Sequence, residues 1–313
     1  MPPFSPLIGQ PDAIELLSRA VSLGRIAPAY LFVGAEGVGK RLAAQGFAQL
    51  LLAPDPNSPV ALSRIQQRNH PDLFWVEPTY NHQGKLVSAT EAADLGIKRR
   101  SAPEIRLEQI REVARFLSRP PLEAPRSLVV LEAAESMAEA AANGLLKTLE
   151  EPGRATLILL APSPASLLPT LVSRCQQIPF RRLDQTALAQ VLTQVGQADL
   201  LQHPEVLALA QGSPGAAIEQ WQFLQTVPAD LLAHLTQLPA SLRDLLELAR
   251  SLDQSLDPET QLWLLDYLQQ CYWQQGQPNR LPPLENARRY LQQYVQPRLV
   301  WEVTLMGLGQ NPA

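Results

Sequence analysis

The stretch that most constrains this 313-residue chain is residues 30–52, YLFVGAEGVGKRLAAQGFAQLLL. A short apolar run leads into Gly34, Gly37, Gly39 and Lys40, and a helical pattern follows. This nearly matches G-x-x-x-x-G-K-[ST], in which glycines turn backbone N–H groups toward phosphate oxygens and the lysine reaches the outer phosphates. The sequence therefore predicts a phosphate-binding loop between a strand and a helix.

The last position of the motif departs from this pattern. A Ser or Thr hydroxyl should reach Mg²⁺ there, but the chain has Arg41. Binding and hydrolysis of a nucleotide are therefore separate questions. The residues predicted to contact nucleotide phosphates are Gly34, Gly37, Val38, Gly39, Lys40 and Arg41.

Hydrolysis needs an acidic residue near Mg²⁺ and a carboxylate that positions water. Residues 127–131 (SLVVL) read as a buried strand, which we expect to neighbour the strand before the loop, and Glu132 and Ala133 follow it. Glu132 can take the acidic position, whereas the methyl group of Ala133 cannot position water. The sequence predicts a degenerate site that keeps the phosphate cradle and has lost hydrolysis.

Arg41 and Glu132 should flank the same Mg²⁺ position. The guanidinium could pair with Glu132 and supply there the positive charge that the ion normally brings. Alternatively, Arg41 extends into solvent. The sequence leaves both possibilities open.

Composition limits the class of protein. With 46% hydrophobic and 18% charged residues the chain is globular. No apolar run reaches the ~18 residues of a membrane span, and residues 1–10 lack the features of a signal peptide, so we expect a cytoplasmic protein. A net charge of −4 argues against a surface that grips nucleic acid throughout, and we interpret the basic residues 98–100 as a solvated loop.

Metal binding is not indicated. Cys175 and Cys271 are far apart in sequence, and the four histidines lack ligand spacing. We therefore predict no structural metal.

Strands alternate with helices over the first ~180 residues, which predicts βαβ units and a parallel sheet. After Phe180 the pattern is helical to the end. The predicted strands are 29–33, 70–78, 127–131 and 155–161, and the predicted helices are 10–24, 40–52, 108–118 and 138–153, the last ended by Pro152.

Two further motifs resemble a known family. Residues 143–152 (NGLLKTLEEP) and 173–175 (SRC), together with the loop, resemble the clamp-loader branch of the AAA+ ATPases, and residues 7–10 (LIGQ) and 29–32 (AYLF) fit the same branch. The resemblance runs from about residue 7 to residue 217. It implies a P-loop α/β AAA+ domain with a parallel sheet, a small helical lid and an all-α C-terminal collar domain. The corresponding domain boundaries are 1–179, 180–223 and 224–313.

The resemblance also implies roles for single residues. In the family, the arginine of the SRC motif is a finger that reaches the ATP site of the adjacent subunit, and Arg174 has this place. Motor subunits keep the loop Ser/Thr, an Asp-Glu pair and a sensor arginine in the lid, where this chain has Arg41, Glu132–Ala133 and Gly215. The resemblance therefore implies a non-hydrolysing subunit that assists a neighbour's hydrolysis.

The implied partners are the other clamp-loader subunits, namely the motor ATPase subunits and delta, and indirectly the sliding clamp and primed DNA. The chain would then be an accessory subunit of a replicative DNA polymerase, in a hetero-oligomer without a membrane. Family members often carry a four-cysteine zinc module, but residues 54–70 contain no cysteine, so no zinc is expected. Whether ATP or ADP is bound without turnover stays open.

Three alternatives remain. The chain could be an active motor ATPase of the same kind of complex, with Mg²⁺ and water handled by other residues. It could also be a stand-alone P-loop phosphotransferase or a nucleic-acid-binding module. Residues 287–308 fit either an intramolecular core or a partner-facing helical segment.

Overall fold

A computed structural model describes most of the chain: residues 2–53, 58–82, 84–88, 91–92, 102–151, 153–239 and 241–310. The basic residues 98–100 and the predicted helix end at Pro152 lie outside the described residues. The chain divides into two compact units, Met1–Ala187 and Leu188–Ala313.

The described part of the first unit contains a five-stranded parallel sheet and a two-stranded antiparallel hairpin. In chain order the strands are β1 (Ala29–Val33), β2 (Leu73–Val76), β3 (Thr79–His82), β4 (Lys85–Ser88), β5 (Ser127–Leu131), β6 (Ala155–Ala161) and β7 (Gln176–Pro179). The sheet order is β2-β5-β6-β1-β7, and β3 pairs with β4. The predicted parallel sheet is therefore present, with the phosphate-loop strand β1 inside it.

Helices cover both faces of this sheet. They are α1 (Pro11–Ser22), α2 (Lys40–Leu52), α3 (Pro59–Gln66), α4 (Leu107–Leu117), α5 (Glu139–Glu150) and α6 (Pro169–Val172). Alternate residues of β1 enter two separate cores, because side chains of a strand point to opposite faces. Tyr30 packs edge-on against Phe47 of α2 at 5.2 Å, whereas Leu31 belongs to the core on the other face. Burial on both faces explains the continuous apolar runs of these strands.

The expectation that β5 neighbours β1 is wrong. β1 pairs with β6 on one side and β7 on the other, and β5 pairs with β2 and β6. The reason is that order along the chain does not fix order in the sheet, and β6 inserts between the two strands. With strands ~4.8 Å apart, β1 and β5 are separated by roughly 10 Å. Any contact between the loop helix and Glu132 must therefore be made by a long side chain.

Helices make up the second unit, and strands are absent after β7 within the described residues, as predicted. Helix α7 (Gln185–Gln194) leads into it, followed by α8 (Pro204–Ala210), α9 (Pro214–Thr226), α10 (Ala229–Thr236), α11 (Leu242–Ser255), α12 (Pro258–Gln274), α13 (Leu281–Gln292) and α14 (Pro297–Gln310). Its core is built around fully buried Trp301 and Tyr272. The Trp301 indole donates to Gln261 Oε1 at 2.8 Å, and the Tyr272 hydroxyl donates to the Leu235 carbonyl at 2.7 Å. The division of this part into a lid and a collar stays a prediction.

The segment 287–308 proves to be two helices separated by Tyr294, whose φ of 59° breaks the helical path. Val300 is buried in the core of the unit. Tyr294 is 93% exposed and Leu299 is 51% exposed. The segment therefore supplies both core residues and exposed apolar residues. Among the described residues, no helix is long and apolar enough to cross a membrane.

Candidate nucleotide site and exposed arginine

The predicted phosphate loop lies between the end of β1 and the start of α2. Gly37 and Gly39 have φ of 74° and 103°, a region that residues with a Cβ rarely adopt. A Cβ on Gly39 would also come within 2.6 Å of Leu7 Cδ1. This backbone path therefore requires glycine, as the motif predicts.

The backbone of this loop has hydrogen-bonding capacity left for a ligand. In the part of the chain that the structure describes, the N–H groups of Gly37, Val38 and Gly39 donate to no acceptor. Successive N–H groups in this geometry, directly before a helix N-terminus, form a concavity that favours anions. The loop fits the phosphates of a nucleotide.

Lys40 is the first residue of α2, and its ammonium returns to the loop. Its Nζ donates to the carbonyl oxygen of Ala35 at 2.7 Å and also to that of Gly34. Burial lowers the pKa of Lys40, while Glu135 and Glu36 act in the opposite direction. The structure thus places the lysine at the phosphate loop, as the sequence predicts.

Arg41 pairs with Glu132, and the alternative that it extends freely into solvent is wrong. Its Nε lies 2.6 Å from Glu132 Oε1, and its Nη2 lies 2.8 Å from Glu77 Oε1. Burial acts to lower the pKa of Arg41, but Glu132 and Glu77 outweigh it and raise the pKa. The guanidinium spans the gap that β6 creates between the loop and the end of β5.

A second arginine completes this network. Arg68 contacts Glu77, and its Nη2 lies 3.1 Å from Glu132 Oε1. The Arg68 guanidinium also lies over the ring of Trp75, 4.5 Å from the ring centre. The Trp75 indole donates to Glu132 Oε1 at 2.5 Å. We refer to Arg41, Arg68, Glu77 and Glu132 as the arginine–glutamate cluster.

Sequence reasoning missed Arg68, Trp75 and Glu77. A signal for Glu77 was available, because Glu77 follows β2 as Glu132 follows β5. The two strands are paired in parallel with Val76 opposite Leu131. Acidic residues directly after two parallel strands meet at one edge of the sheet if those strands are neighbours.

Ala133 presents only a methyl group at the position where hydrolysis would require a carboxylate. Its φ of 44° turns the chain into a short 3-10 turn, Ala134–Ser136, that carries Glu135. Partial desolvation raises the pKa of Glu135, and the attraction of Lys40 acts against this rise. Glu135 is therefore an acidic side chain near the loop lysine, which sequence reasoning did not single out.

Arg174 follows α6 and lies apart from this cluster, with its side chain 37% exposed. Its Nη2 donates to Glu150 Oε1 at 2.7 Å, and its Nη1 donates to the Thr170 carbonyl at 3.0 Å. Glu150 belongs to the 143–152 motif, so the two motifs meet through this ion pair. The structure shows a partly exposed arginine with a fixed direction.

Gln10, from the 7–10 motif, connects the loop with the segment after β7. Its side-chain amide donates to the carbonyls of Val38 (3.2 Å) and Arg181 (2.7 Å), and its Oε1 accepts from Arg181 N–H at 3.0 Å. Gln10 is 3% exposed. Gln10 of this motif therefore stabilises the backbone of the loop by linking it to the segment after β7.

The structure also describes Gly215, at the predicted lid position, and the arrangement of side chains that could bind a metal. Gly215 lies at the second position of α9, where Ser213 Oγ accepts from Ala216 N–H at 3.2 Å and caps the helix. Groups of three or more His, Cys, Asp or Glu side chains that could hold a metal are absent from the described residues.

Two family models together match nearly all of the chain. One, described as DNA polymerase III, delta subunit, matches residues 9–184. The other, described as cyanobacterial DNA polymerase III delta prime, C-terminal domain, matches residues 186–308. The chain belongs to the DNA polymerase III delta-prime family. This membership narrows the clamp-loader resemblance of the sequence to one kind of subunit.

Curated members of the delta-prime family agree with this. The chain is 34% identical over 185 residues to DNA polymerase III subunit delta' of Bacillus subtilis, which covers 57% of this chain and 50% of that protein. It is 35% identical over 199 residues to the same subunit of Pseudomonas aeruginosa, covering 60% and 54%. The chain thus spans about half the length of these curated relatives.

A solved structure supports the fold. The DNA polymerase III gamma subunit-related protein of Thermotoga maritima superimposes with a TM-score of 0.57 at 15% identity, covering 95% of this chain and 99% of that one. The chain therefore shares the fold of that protein, an α/β domain with a parallel sheet followed by helices.

Proposed function

We propose that this chain is a non-hydrolysing clamp-loader subunit that helps load a sliding clamp onto primed DNA. Membership of the delta-prime family supports the kind of complex. The observation that carries the non-hydrolysing role is the pairing of Arg41 with Glu132 at 2.6 Å, directly before Ala133. The parts that hold Mg²⁺ and position water are thus absent or engaged with another side chain.

The chain's own residues can hold phosphates without cleaving them. The free N–H groups of Gly37, Val38 and Gly39 and the Lys40 ammonium would bind the phosphates of ATP or ADP, which we propose are held without turnover. Hydrolysis would additionally need a metal ion that bridges two phosphates and a carboxylate that orients water. The methyl group of Ala133 can neither bind a metal ion nor orient water.

Arg174 would act on a neighbour instead. An arginine supplied in trans stabilises the charge that develops on the transferred phosphoryl group, an effect of about 10³–10⁵ in rate in the best-measured cases. The bond to Glu150 limits the rotamers of Arg174, so less entropy is lost when it enters another subunit's site. We propose that this neighbour is a motor ATPase subunit, and that delta is a further partner. A further subunit of DNA polymerase III, tau of Escherichia coli, is 28% identical over 67% of this chain.

The active motor ATPase remains the second candidate, and Glu135 is the observation that favours it. This side chain is close enough to Lys40 for the two charges to interact, so it could position water in place of Ala133. ATP turnover by the purified full chain separates the candidates. We expect turnover at the level of a protein-free blank, unchanged in Lys40→Ala. Turnover that both Lys40→Ala and Glu135→Gln abolish would establish the motor function and overturn our proposal.

A further inference from the structure

The carboxylates of the arginine–glutamate cluster already accept hydrogen bonds from other side chains of the protein. Glu132 Oε1 accepts from Arg41 Nε at 2.6 Å, Trp75 Nε1 at 2.5 Å and Arg68 Nη2 at 3.1 Å. Glu77 Oε1 accepts from both arginines. Each carboxylate therefore has at least two charged donors, and the four side chains sum to zero charge.

A divalent ion would bind the two glutamates less favourably than the two guanidinium groups do. Mg²⁺ requires near-octahedral oxygen ligands at 2.0–2.1 Å in general, usually one or two carboxylates with water and phosphate oxygens. To bind Glu132 it would have to displace two guanidinium groups whose charges the glutamates neutralise. The side chain of Arg68 is only 25% exposed, so its displaced charge would be partly desolvated.

Arg41 stands in the sequence where the motif's hydroxyl would reach the ion, directly after the loop lysine. Its Nε and Nη2 are used by the two glutamates. Its Nη1 donates to no acceptor among the described residues, which leaves N–H groups of a planar, permanently charged fork for a phosphate oxygen. The arginine is therefore a cation that Glu132 and Glu77 hold in a fixed direction, and it lies two residues after Gly39 in the sequence.

We infer that the arginine–glutamate cluster occupies the cation position of the loop, so that this chain binds polyphosphate anions without a divalent ion. The ligand class is the free di- or triphosphate group, as in ADP or pyrophosphate, rather than its Mg²⁺ complex. This inference rests on the proposed static binding of nucleotide at the loop.

Calorimetric titration of the full chain with ADP, and separately with pyrophosphate, tests the inference. Each titration is made once in excess EDTA and once in excess Mg²⁺. We expect the affinity in EDTA to equal or exceed the affinity in Mg²⁺. Binding that is tighter by about tenfold or more in Mg²⁺ would overturn the inference. Absence of binding in both conditions would overturn it as well, while the Arg174 and non-hydrolysing proposals would stand, since they are measured without this ligand.

Two matched variants test whether Arg41 is the residue that replaces the divalent ion. Arg41→Ser restores the motif's hydroxyl and removes one of the three donors to Glu132, so we expect a loss of affinity of about tenfold in EDTA that Mg²⁺ reverses. Arg19→Ser is the control, because Arg19 is 71% exposed on α1 and pairs only with Glu15 in the described part. Thermal unfolding with Mg²⁺ alone gives a second readout: Arg41→Ser should gain an Mg²⁺-dependent shift that the wild type lacks. If Arg41→Ser does not fold, the wild-type comparison alone decides. An Mg²⁺-dependent shift in the wild type would contradict the inference.

Discussion

Arg41 Nε lies 2.6 Å from Glu132 Oε1, although β6 separates the strand before the phosphate loop from the strand that ends at Glu132. A single residue type at the last motif position thus has two effects. It removes the hydroxyl that would bind Mg²⁺, and its long side chain engages the acidic residue that would bind the same ion. Together with the methyl group of Ala133, these two effects are the physical reason for our proposal that the loop keeps its shape and does not support hydrolysis.

Asp72 is predicted to be a main stabilising residue of the first unit. Its buried carboxylate accepts from the N–H groups of Leu122, Glu123 and Ala124 at 2.6, 2.8 and 2.7 Å. Asp72→Asn removes the charge and directs N–H groups against these donors, so we expect the free energy of unfolding to fall by about 2–3 kcal/mol. Urea unfolding measures it, with exposed Asp244→Asn as a control that should change by less than about 0.5 kcal/mol. Equal effects of the two substitutions would refute the assignment.

The same carboxylate predicts a pH dependence. Burial acts to raise the pKa of Asp72, but the three N–H donors outweigh it and hold the pKa below its usual value. The stabilisation is therefore complete above the unfolded pKa of about 3.9 and is lost as pH falls through the lower folded pKa. Burial also lowers the pKa of His70, so the chain should begin to lose stability below about pH 6.5.

Unfolding free energies of wild type and Asp72→Asn, measured between neutral pH and pH 3, check this prediction. The difference between the two proteins should be constant above about pH 6.5, where His70 is neutral in both states, and it should shrink below about pH 4 as Asp72 is protonated. A difference that stays constant to the lowest pH would show that the charge of Asp72 does not carry its contribution.

Gly39→Ala and Gly24→Ala form a matched test of the loop geometry. Both glycines have positive φ, but a Cβ on Gly24 meets nothing within 4 Å, whereas a Cβ on Gly39 would be 2.6 Å from Leu7. We expect Gly24→Ala to cost about 1 kcal/mol from backbone strain and Gly39→Ala about 2–3 kcal/mol, since steric overlap adds to it. Thermal or urea unfolding measures both. Equal losses would mean that the contact with Leu7 relaxes freely.

Neither cysteine should be reactive in the folded protein. Burial raises the pKa of the Cys175 thiol to about 11 and is also the main cause that raises the pKa of Cys271 to about 11. Only the thiolate attacks a disulfide reagent, and it is scarce at neutral pH. We expect Ellman's reagent to label no thiol before unfolding and both in urea. Rapid labelling of native Cys271 at pH 7.5 would contradict its burial, and rapid labelling of half-buried Cys175 would contradict its raised pKa.

The sequence predicts the interior of the fold well. Strands β1, β5 and β6 are buried on both faces, and this produces the apolar runs by which 29–33, 127–131 and 155–161 are recognised. Strand β7, with the sequence QQIP, is at the sheet edge and has one buried residue, so it carries no apolar pattern. The hairpin and α3 escape prediction for the same reason, because few of their side chains are buried.

The sequence predicts some residues of the candidate site and misses others. The sequence leaves the pairing of Arg41 with Glu132 open as one of two possibilities, because the two residues are far apart in the chain. The loop glycines and Lys40 follow from a motif whose geometry is local. The part played by Arg68 and Glu77 does not, because it depends on β2 lying beside β5 in space. A sequence shows which segments form strands more readily than it shows the order of those strands in the sheet.

We propose that this chain lacks catalysis of its own and supplies Arg174 to a neighbour. The most direct measurement is the DNA- and clamp-stimulated ATPase rate of the reconstituted assembly, containing either the wild-type chain or Arg174→Ala. Arg115→Ala is the control, since Arg115 is a 75% exposed arginine of α4. We predict that Arg174→Ala lowers the rate by about tenfold or more while the assembly stays intact and Arg115→Ala leaves it unchanged. An unchanged rate with Arg174→Ala in an intact assembly would contradict the account and leave the chain a scaffold alone.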